Sequence, residues 1–260
     1  MLTTLFASLL GPYPIGTLYF LAAVALVAGL SRGLTGFGAG MIFIPLASGL
    51  IGPSAAIGVM WVVDQPATLP IALRAIRRAQ VREVAWLFAG WLLMMPVGIW
   101  LLKVLDKLTV RWIMCLMILI VLALLMGGWR YKGKPTVGLA VVTGLIAGLA
   151  GGLTGLSGPP IVLLWLAAAA TTAMNVRDNI NLFFLISGAF SGFLFIQQGI
   201  LTWDVLGFGL LLLPAYALGI ILGTRMFMRM GEADFRRAAY IVIAIAALLA
   251  LPALDPWLRK

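Results

Sequence analysis

Long apolar stretches, separated by short turns rich in Gly, Pro and charge, run along the whole chain. A helix needs roughly 20 apolar residues to cross the hydrocarbon core of a bilayer, and most of these stretches approach that length. The pattern therefore predicts ten apolar helical segments, five in each half. They cover 14–31, 39–51, 54–74, 82–104 and 109–129 in the first half, then 136–151, 158–172, 177–199, 201–228 and 234–257 in the second.

The composition indicates that these segments lie in a membrane. The chain has 260 residues, of which 63% are hydrophobic and 10% are charged. A soluble domain has about a quarter of its residues charged, and no stretch here is polar enough to form one. The sequence predicts an all-α polytopic membrane protein whose surroundings are the lipid bilayer.

Two glycine-rich motifs interrupt this apolar pattern. "GLTGFG" at 33–38 precedes the short second segment, and "GLTGLS" at 152–157 precedes the short seventh segment. Glycine weakens a helix, and irregular backbone at membrane depth is tolerated where protein surrounds it. We expect broken or re-entrant hairpins at both motifs. The chain then has eight full spans if both hairpins are re-entrant, and ten if every segment crosses.

The two halves look like copies of one another. The motif at 33–38 matches the motif at 152–157 with a shift of 152 − 33 = 119 residues, and the same shift places Gly29-Leu30 on Gly148-Leu149. A weaker match pairs 96–98 with 222–224. With the same order of segments in each half, this predicts a duplication with a first transmembrane repeat at 1–130 and a second at 131–260.

The charges predict that the second repeat is inverted. The 74–83 loop carries four arginines and is expected to be cytoplasmic, whereas its counterpart at 197–203 has no basic residue. The basic loop of the second half is 225–237 instead. An odd number of segments per repeat accounts for this reversal and places both termini outside. The net charge of +10 is then read as topological rather than as a sign of nucleic acid.

Inverted repeats are typical of secondary transporters, whose substrate lies near the midplane between the ends of broken helices. A helix N-terminus presents unpaired N–H groups and partial positive charge, which suits an anion. The motifs therefore predict a small anionic substrate. The candidate substrate-binding residues of the motifs are Gly33, Thr35, Gly36, Phe37 and Gly38 in the first copy, and Thr154, Gly155, Ser157 and Gly158 in the second. For glycines outside these cores, such as Gly144 and Gly148, close helix packing is the favoured interpretation.

Polar residues within the spans add further candidates. Arg32 either coordinates the substrate anion or extends to the cytoplasmic interface. Asp64 either carries a coupling proton or pairs with Arg32 or Arg74, because a carboxylate at that depth is costly without a role. Three neutral side chains could contact an anion or hydrogen-bond neighbouring helices, namely Gln65, Asn179 and Asn181.

Nothing in the sequence indicates an enzyme. It has no histidine, no zinc-ligand spacing and no P-loop, so we assign no catalytic residue, metal or cofactor. Without a nucleotide motif, transport is expected to run on an ion gradient or on the gradient of the substrate.

The motifs resemble those of the TauE/SafE family of sulfite exporters and sulfonate permeases. The resemblance is carried by Gly33–Gly40 with Pro45, and by Gly148–Pro160, and it extends over nearly the whole chain. It implies a permease of the bacterial inner membrane. In such a membrane, the outward termini expected from the distribution of basic residues lie in the periplasm. The expected substrate is sulfite, sulfoacetate or a related organosulfonate, moved by alternating access, with export the expected direction. A passive anion channel and a scaffold without transport remain alternatives, and the oligomeric state, including a homodimer, stays open.

Overall fold

The computed structural model describes residues 2–35, 38–76, 78–127, 136–158, 161, 173–227, 241, 244, 247–248 and 251–254. Within these residues the fold is helical throughout. The elements are α1 (Leu2–Leu10), α2 (Ile15–Thr35), α3 (Ala39–Ile51), α4 (Pro53–Ala75), α5 (Val81–Val104), α6 (Lys107–Met126), α7 (Val137–Thr154), α8 (Ala173–Gln197), α9 (Trp203–Phe227) and a short 3-10 helix, Pro252–Leu254.

The apolar pattern located most of these helices to within a few residues, and the prediction of an all-α membrane protein is confirmed. Six of the described helices, α2 and α5 to α9, are long and apolar enough to cross a membrane. Helix α3 has 13 residues, too few for a full crossing. Helix α4 has 23 residues but is less apolar, because it contains Asp64, Gln65 and Arg74. The predicted segments 158–172 and 234–257 lie largely outside the described residues, so the total number of spans stays a prediction.

Helix ends follow local capping chemistry. The hydroxyl oxygen of Thr136 accepts the Leu139 N–H at 3.2 Å and caps the start of α7. Asp106 caps α6 in the same way, accepting the Thr109 N–H at 2.8 Å. Helix α1 was not predicted from the sequence. It ends at Leu10, and Gly11 follows with a left-handed φ of 59°.

The chain forms two compact units. The first, called here the terminal unit, comprises Met1–Ala67 and Gly192–Lys260; the second, the central unit, comprises Thr68–Ser191. Each unit therefore draws helices from both halves of the sequence, and its boundaries fall within α4 and α8. The predicted division at 130/131 concerns sequence repeats, and it stays a prediction.

Glycines hold one pair of helices together in each unit. In the terminal unit, Gly29 and Gly33 of α2 lie against the carbonyl oxygens of Tyr216 and Ile220 in α9. In the central unit, Gly148 and Gly152 of α7 lie against the carbonyl oxygens of Trp91 and Met95 in α5. A Cβ atom at any of these four glycines would overlap backbone, so small residues are what allow the close approach. In both pairs the contacts advance in the same direction along the two helices, which are therefore parallel.

Many large apolar side chains are exposed on the outer faces of the helices. Such a surface would be unstable in water and suits contact with lipid. Examples from five different helices are Leu93, Trp100, Ile120, Val142, Ile196 and Leu210.

Candidate functional site

A charged cluster lies inside the terminal unit, formed by Arg32 of α2, Asp64 of α4 and Tyr216 of α9. The Nε atom of Arg32 lies 3.2 Å from Oδ1 of Asp64, and the Tyr216 hydroxyl donates to the same oxygen at 2.5 Å. Arg32 is 6% exposed, the Asp64 side chain 15% and Tyr216 0%. We call these three residues the Arg–Asp–Tyr cluster.

Helix packing explains why these three side chains meet. Arg32 lies between Gly29 and Gly33, the glycines that bring α2 close to α9. Tyr216 supplies the carbonyl oxygen against Gly29, so the same contact that joins the helices also places its ring beside the ion pair. A buried carboxylate needs an opposite charge and hydrogen bonds to offset lost hydration, and Arg32 and Tyr216 provide both. Of the pairings considered for Asp64, the structure contains the one with Arg32.

The first glycine motif lies at a break between two helices, as predicted. Helix α2 ends at Thr35, and Gly38 adopts a left-handed φ of 93° immediately before α3 begins at Ala39. Gly33 packs on α9, and its carbonyl oxygen accepts the Thr224 hydroxyl at 3.3 Å. Gly36, Phe37 and the side chain of Thr35 lie outside the described residues. Helix α3, which follows, is buried over most of its length, as expected for a short helix surrounded by protein.

The second motif also breaks its helix. Helix α7 ends at Thr154, and Gly155 caps it with a left-handed φ of 74° and an N–H that donates to Gly151 O. The Thr154 hydroxyl donates to Ala150 O at 2.7 Å, within its own helix, so its proton is already engaged. The Trp91 indole N–H donates to the Ser157 hydroxyl oxygen at 3.2 Å.

Aromatic rings surround the second motif. Gly158 is buried against the ring of Phe184, and Pro159 and Pro160 lie outside the described residues. The ring of Trp91 packs edge-on against Phe183 and Phe190, with centroids 6.2 and 6.4 Å apart. The described side chains of this site are uncharged, whereas the Arg–Asp–Tyr cluster contains an ion pair.

The three neutral candidates differ in their surroundings. Gln65 follows Asp64 on α4 and is half-buried. Asn179 is 1% exposed, and its Oδ1 accepts the backbone N–H of Gln80 at 2.7 Å, which ties α8 to the start of α5 within the central unit. Asn181 is buried on the same helix. Asn179 therefore has a structural partner of its own, one of the two roles considered for it.

Sequence reasoning missed two residues, Tyr216 and Trp91. Both are fully buried aromatics that use a polar atom to reach a residue singled out in the sequence, Asp64 and Ser157 respectively. A buried Tyr or Trp usually needs such a partner. Each is an aromatic residue with a polar atom deep within a long apolar segment, and this position is the feature by which the sequence could have indicated them.

Fold and site together define a polytopic helical membrane protein with a buried ion pair and two helices broken at related glycine motifs. The chain belongs to the sulfite exporter TauE/SafE family, whose model matches residues 21–250. It is 28% identical over 237 residues to a protein from Cupriavidus necator named "Probable sulfite/organosulfonate exporter TauE", covering 86% of this chain and 90% of that protein. No solved structure matched the chain.

Proposed function

We propose that this protein is a secondary transporter of the bacterial inner membrane that exports a small sulfur-containing anion such as sulfite, sulfoacetate or a related organosulfonate. The observation that carries the proposal is the buried Arg–Asp–Tyr cluster in a member of the TauE/SafE family. An ionisable pair among apolar helices is costly and marks a functional site by default. The name of the Cupriavidus necator relative supports the choice of sulfite or organosulfonate.

The two glycine-packed helix pairs support a duplication, and the distribution of basic residues supports its inversion. Gly29, Leu30 and Gly33 of α2 correspond to Gly148, Leu149 and Gly152 of α7 at a shift of 119 residues. Their contacts in the partner helix are Tyr216, Gly223 and Ile220 of α9, which correspond to Trp91, Gly98 and Met95 of α5 at a shift of 125 residues. Both shifts hold at all three contacts. This regularity is expected if α2 with α9, and α7 with α5, are copies of one helix pair.

We propose alternating access as the mechanism. One broken helix belongs to each repeat, and the repeats offer different chemistry to an anion: a guanidinium at Arg32 in one, and the backbone and hydroxyl of Ser157 in the other. Rocking of one repeat against the other would open the site first to one side of the membrane and then to the other. The remaining candidates, Thr35, Gly36, Phe37, Gln65 and Asn181, are proposed to complete the site.

Export is the proposed direction. The sequence has no nucleotide motif, so transport runs on an ion gradient or on the gradient of the substrate itself. An anion that accumulates in the cell is then driven outward by its own concentration gradient. We further propose that the loop at 74–83 is cytoplasmic and that both termini are periplasmic, from the distribution of basic residues.

A thermal-shift panel on the detergent-purified protein tests the binding part of this proposal. The panel compares sulfite, thiosulfate, sulfate, sulfoacetate and taurine with acetate and succinate. A ligand that binds only the folded state raises its stability by mass action. Stabilisation by a sulfur oxyanion that is weakened in Arg32→Gln supports the site, and no shift with any anion contradicts it.

Transport itself is tested in proteoliposomes with the stabilising anion. Saturable uptake with counterflow, slow enough for a carrier, is the expected result. Currents far above carrier turnover and no counterflow would indicate a channel. No flux at all, together with a folded protein, would indicate a scaffold. Thr35→Val with Thr154→Val tests the motifs, because unchanged transport in the double variant would remove both hydroxyls from the mechanism.

A further inference from the structure

We propose that Asp64 is a built-in counter-ion of Arg32, which a monovalent oxyanion displaces while Asp64 takes up one proton. This inference rests on the transporter function proposed above and specifies the charge of the substrate and the coupling ion. Tyr216 acts in it as a positioning residue, because its contact is with Asp64 rather than with the anion.

The geometry of the Arg–Asp–Tyr cluster is that of an occupied anion site. The Asp64 carboxylate carries one negative charge and places its Oδ1 atom 3.2 Å from Nε of the guanidinium. A sulfonate or hydrogen sulfite group also has one negative charge and oxygens that accept from such donors. Arginine is suited to such oxyanions because its N–H donors lie in one plane and its charge is permanent. A substrate anion that binds Arg32 must therefore compete with Asp64 for the same donors.

The charge of the cluster limits what can replace Asp64. Arg32 from α2 and Tyr216 from α9 both contact Asp64. A monovalent anion that bound here alone would change the buried charge by −1, which is costly in an apolar interior. If Asp64 binds one proton at the same time, the buried charge does not change.

The same count disfavours a divalent anion. With a sulfate dianion on Arg32 and a proton on Asp64, the buried charge would still change by −1. The proposed substrates are therefore hydrogen sulfite or a monovalent organosulfonate. The proton comes from the aqueous side that the site faces and binds a carboxylate oxygen of Asp64. No covalent bond of the anion forms or breaks, and Tyr216 continues to donate its hydroxyl to the carboxyl group.

The corresponding positions of the central unit are uncharged, which supports the assignment of the exchangeable charge to Arg32 and Asp64. At the shifts of 119 and 125 residues, Arg32 corresponds to Gly151, and Tyr216 to Trp91. Gly151 lies against the Ser157 hydroxyl, which accepts the indole N–H of Trp91. The aromatic hydrogen-bond donor is thus present in both units, whereas the arginine and the carboxylate occupy the terminal unit. The exchangeable charge belongs to the terminal unit.

The test uses the full chain in proteoliposomes with a trapped pH-sensitive dye and methanesulfonate as the probe. Methanesulfonate keeps one negative charge across the working pH range, so it does not carry protons across the bilayer by itself. We expect one proton to enter with each methanesulfonate. We expect the apparent affinity for methanesulfonate to weaken by about tenfold for each pH unit over which binding is linked to the uptake of one proton.

Three variants separate the roles of the cluster. Asp64→Asn should move methanesulfonate without protons, with an affinity that no longer depends on pH. Tyr216→Phe should keep proton-coupled transport but shift its pH profile, which loss of packing alone would not do. Asp204→Asn is the matched control, since it makes the same chemical change in the first turn of α9, and it should leave both the proton count and the pH profile unchanged.

The outcomes distinguish this inference from the transporter proposal. Wild-type protein that moves no anion contradicts the transporter proposal itself. Wild-type protein that moves methanesulfonate with no proton overturns the inference, and this measurement needs no variant to fold. Proton coupling that persists in Asp64→Asn also overturns it. Sulfate that competes as well as methanesulfonate overturns the restriction to monovalent anions.

Discussion

The carboxylate of Asp64 lies 3.2 Å from the Nε atom of Arg32, and the two residues come from helices separated in sequence by α3. Both side chains are shielded from solvent, and each places an opposite charge beside the other. A buried ion pair adds little net stability relative to an apolar pair of similar size. Removing one partner is strongly destabilising, however, because the charge of the other partner is then uncompensated.

Arg32→Gln is therefore expected to lower the free energy of unfolding by about 3–5 kcal/mol. The double variant Arg32→Gln with Asp64→Asn should recover most of that loss, since no uncompensated charge remains. Unfolding of purified protein in detergent measures the full double-mutant cycle. Strictly additive effects of the two substitutions would contradict an energetic link between the residues.

Gly148→Ala should destabilise the central unit, because the new Cβ would overlap the backbone carbonyl of Trp91. The expected loss is about 1–3 kcal/mol, as for other substitutions that overfill a tight contact. Gly138→Ala is the matched control, in the same helix with no neighbouring atom within 4 Å of the new Cβ. It should be neutral or slightly stabilising, since alanine favours a helix. Equal unfolding midpoints for the two variants would show that the α5–α7 contact yields to an added methyl group.

Gly155 ends α7 with a left-handed backbone, a conformation that costs an L-residue with a Cβ roughly 1–2 kcal/mol. Gly155→Ala should show a loss of that size in unfolding experiments. Gly155→Asn should lose less, because asparagine adopts this conformation more readily than other residues. If alanine and asparagine are equally tolerated, the break in α7 does not depend on the left-handed conformation.

Asp106 should make the start of α6 sensitive to acid. Hydrogen bonds from the Thr109 hydroxyl and then the Thr109 N–H hold the pKa of Asp106 below its ordinary value. A lowered pKa in the folded state means that the contribution to stability is complete above the ordinary carboxyl pKa and is lost as pH falls through the lowered value.

Asp106→Ala should thus unfold at a lower temperature than wild type at neutral pH, and the difference should shrink as pH falls below the ordinary carboxyl pKa. Thermal unfolding between neutral and acid pH measures this. Asp204→Asn provides a comparison at the first turn of another helix. If the difference in unfolding temperature between wild type and Asp106→Ala grows toward acid pH, ionised Asp106 does not stabilise the folded state.

The glycine motifs illustrate how far sequence reasoning reached. Their repetition at a shift of 119 residues predicted two broken helices, and α2 and α7 do end within them, at Thr35 and Thr154. The use of each glycine could not be read from the motif. Gly33 packs against α9, whereas Gly38 and Gly155 supply left-handed backbone, and this difference depends on which neighbour each residue meets.

The alignment of α5 with α9 also shows what sequence reasoning could not determine. The weak sequence match of 96–98 with 222–224 implies a shift of 126 residues, one residue away from the shift of 125 in the glycine contacts. Small residues recur so often in these helices that sequence alone does not select the register. The contacts of Gly98 with Leu149 and of Gly223 with Leu30 select it, because only one register places equivalent glycines on equivalent carbonyl groups.

The sequence by itself determined the helical membrane class, the bounds of most helices and the two break points, because hydropathy, glycine and proline act on the chain locally. It also singled out Arg32 and Asp64, since charges are conspicuous among apolar residues. The tertiary structure decided the pairing of these two and the presence of Tyr216, which is 152 residues from Asp64. Such contacts arise from packing between distant helices, where a buried polar atom must find a partner that no local pattern specifies.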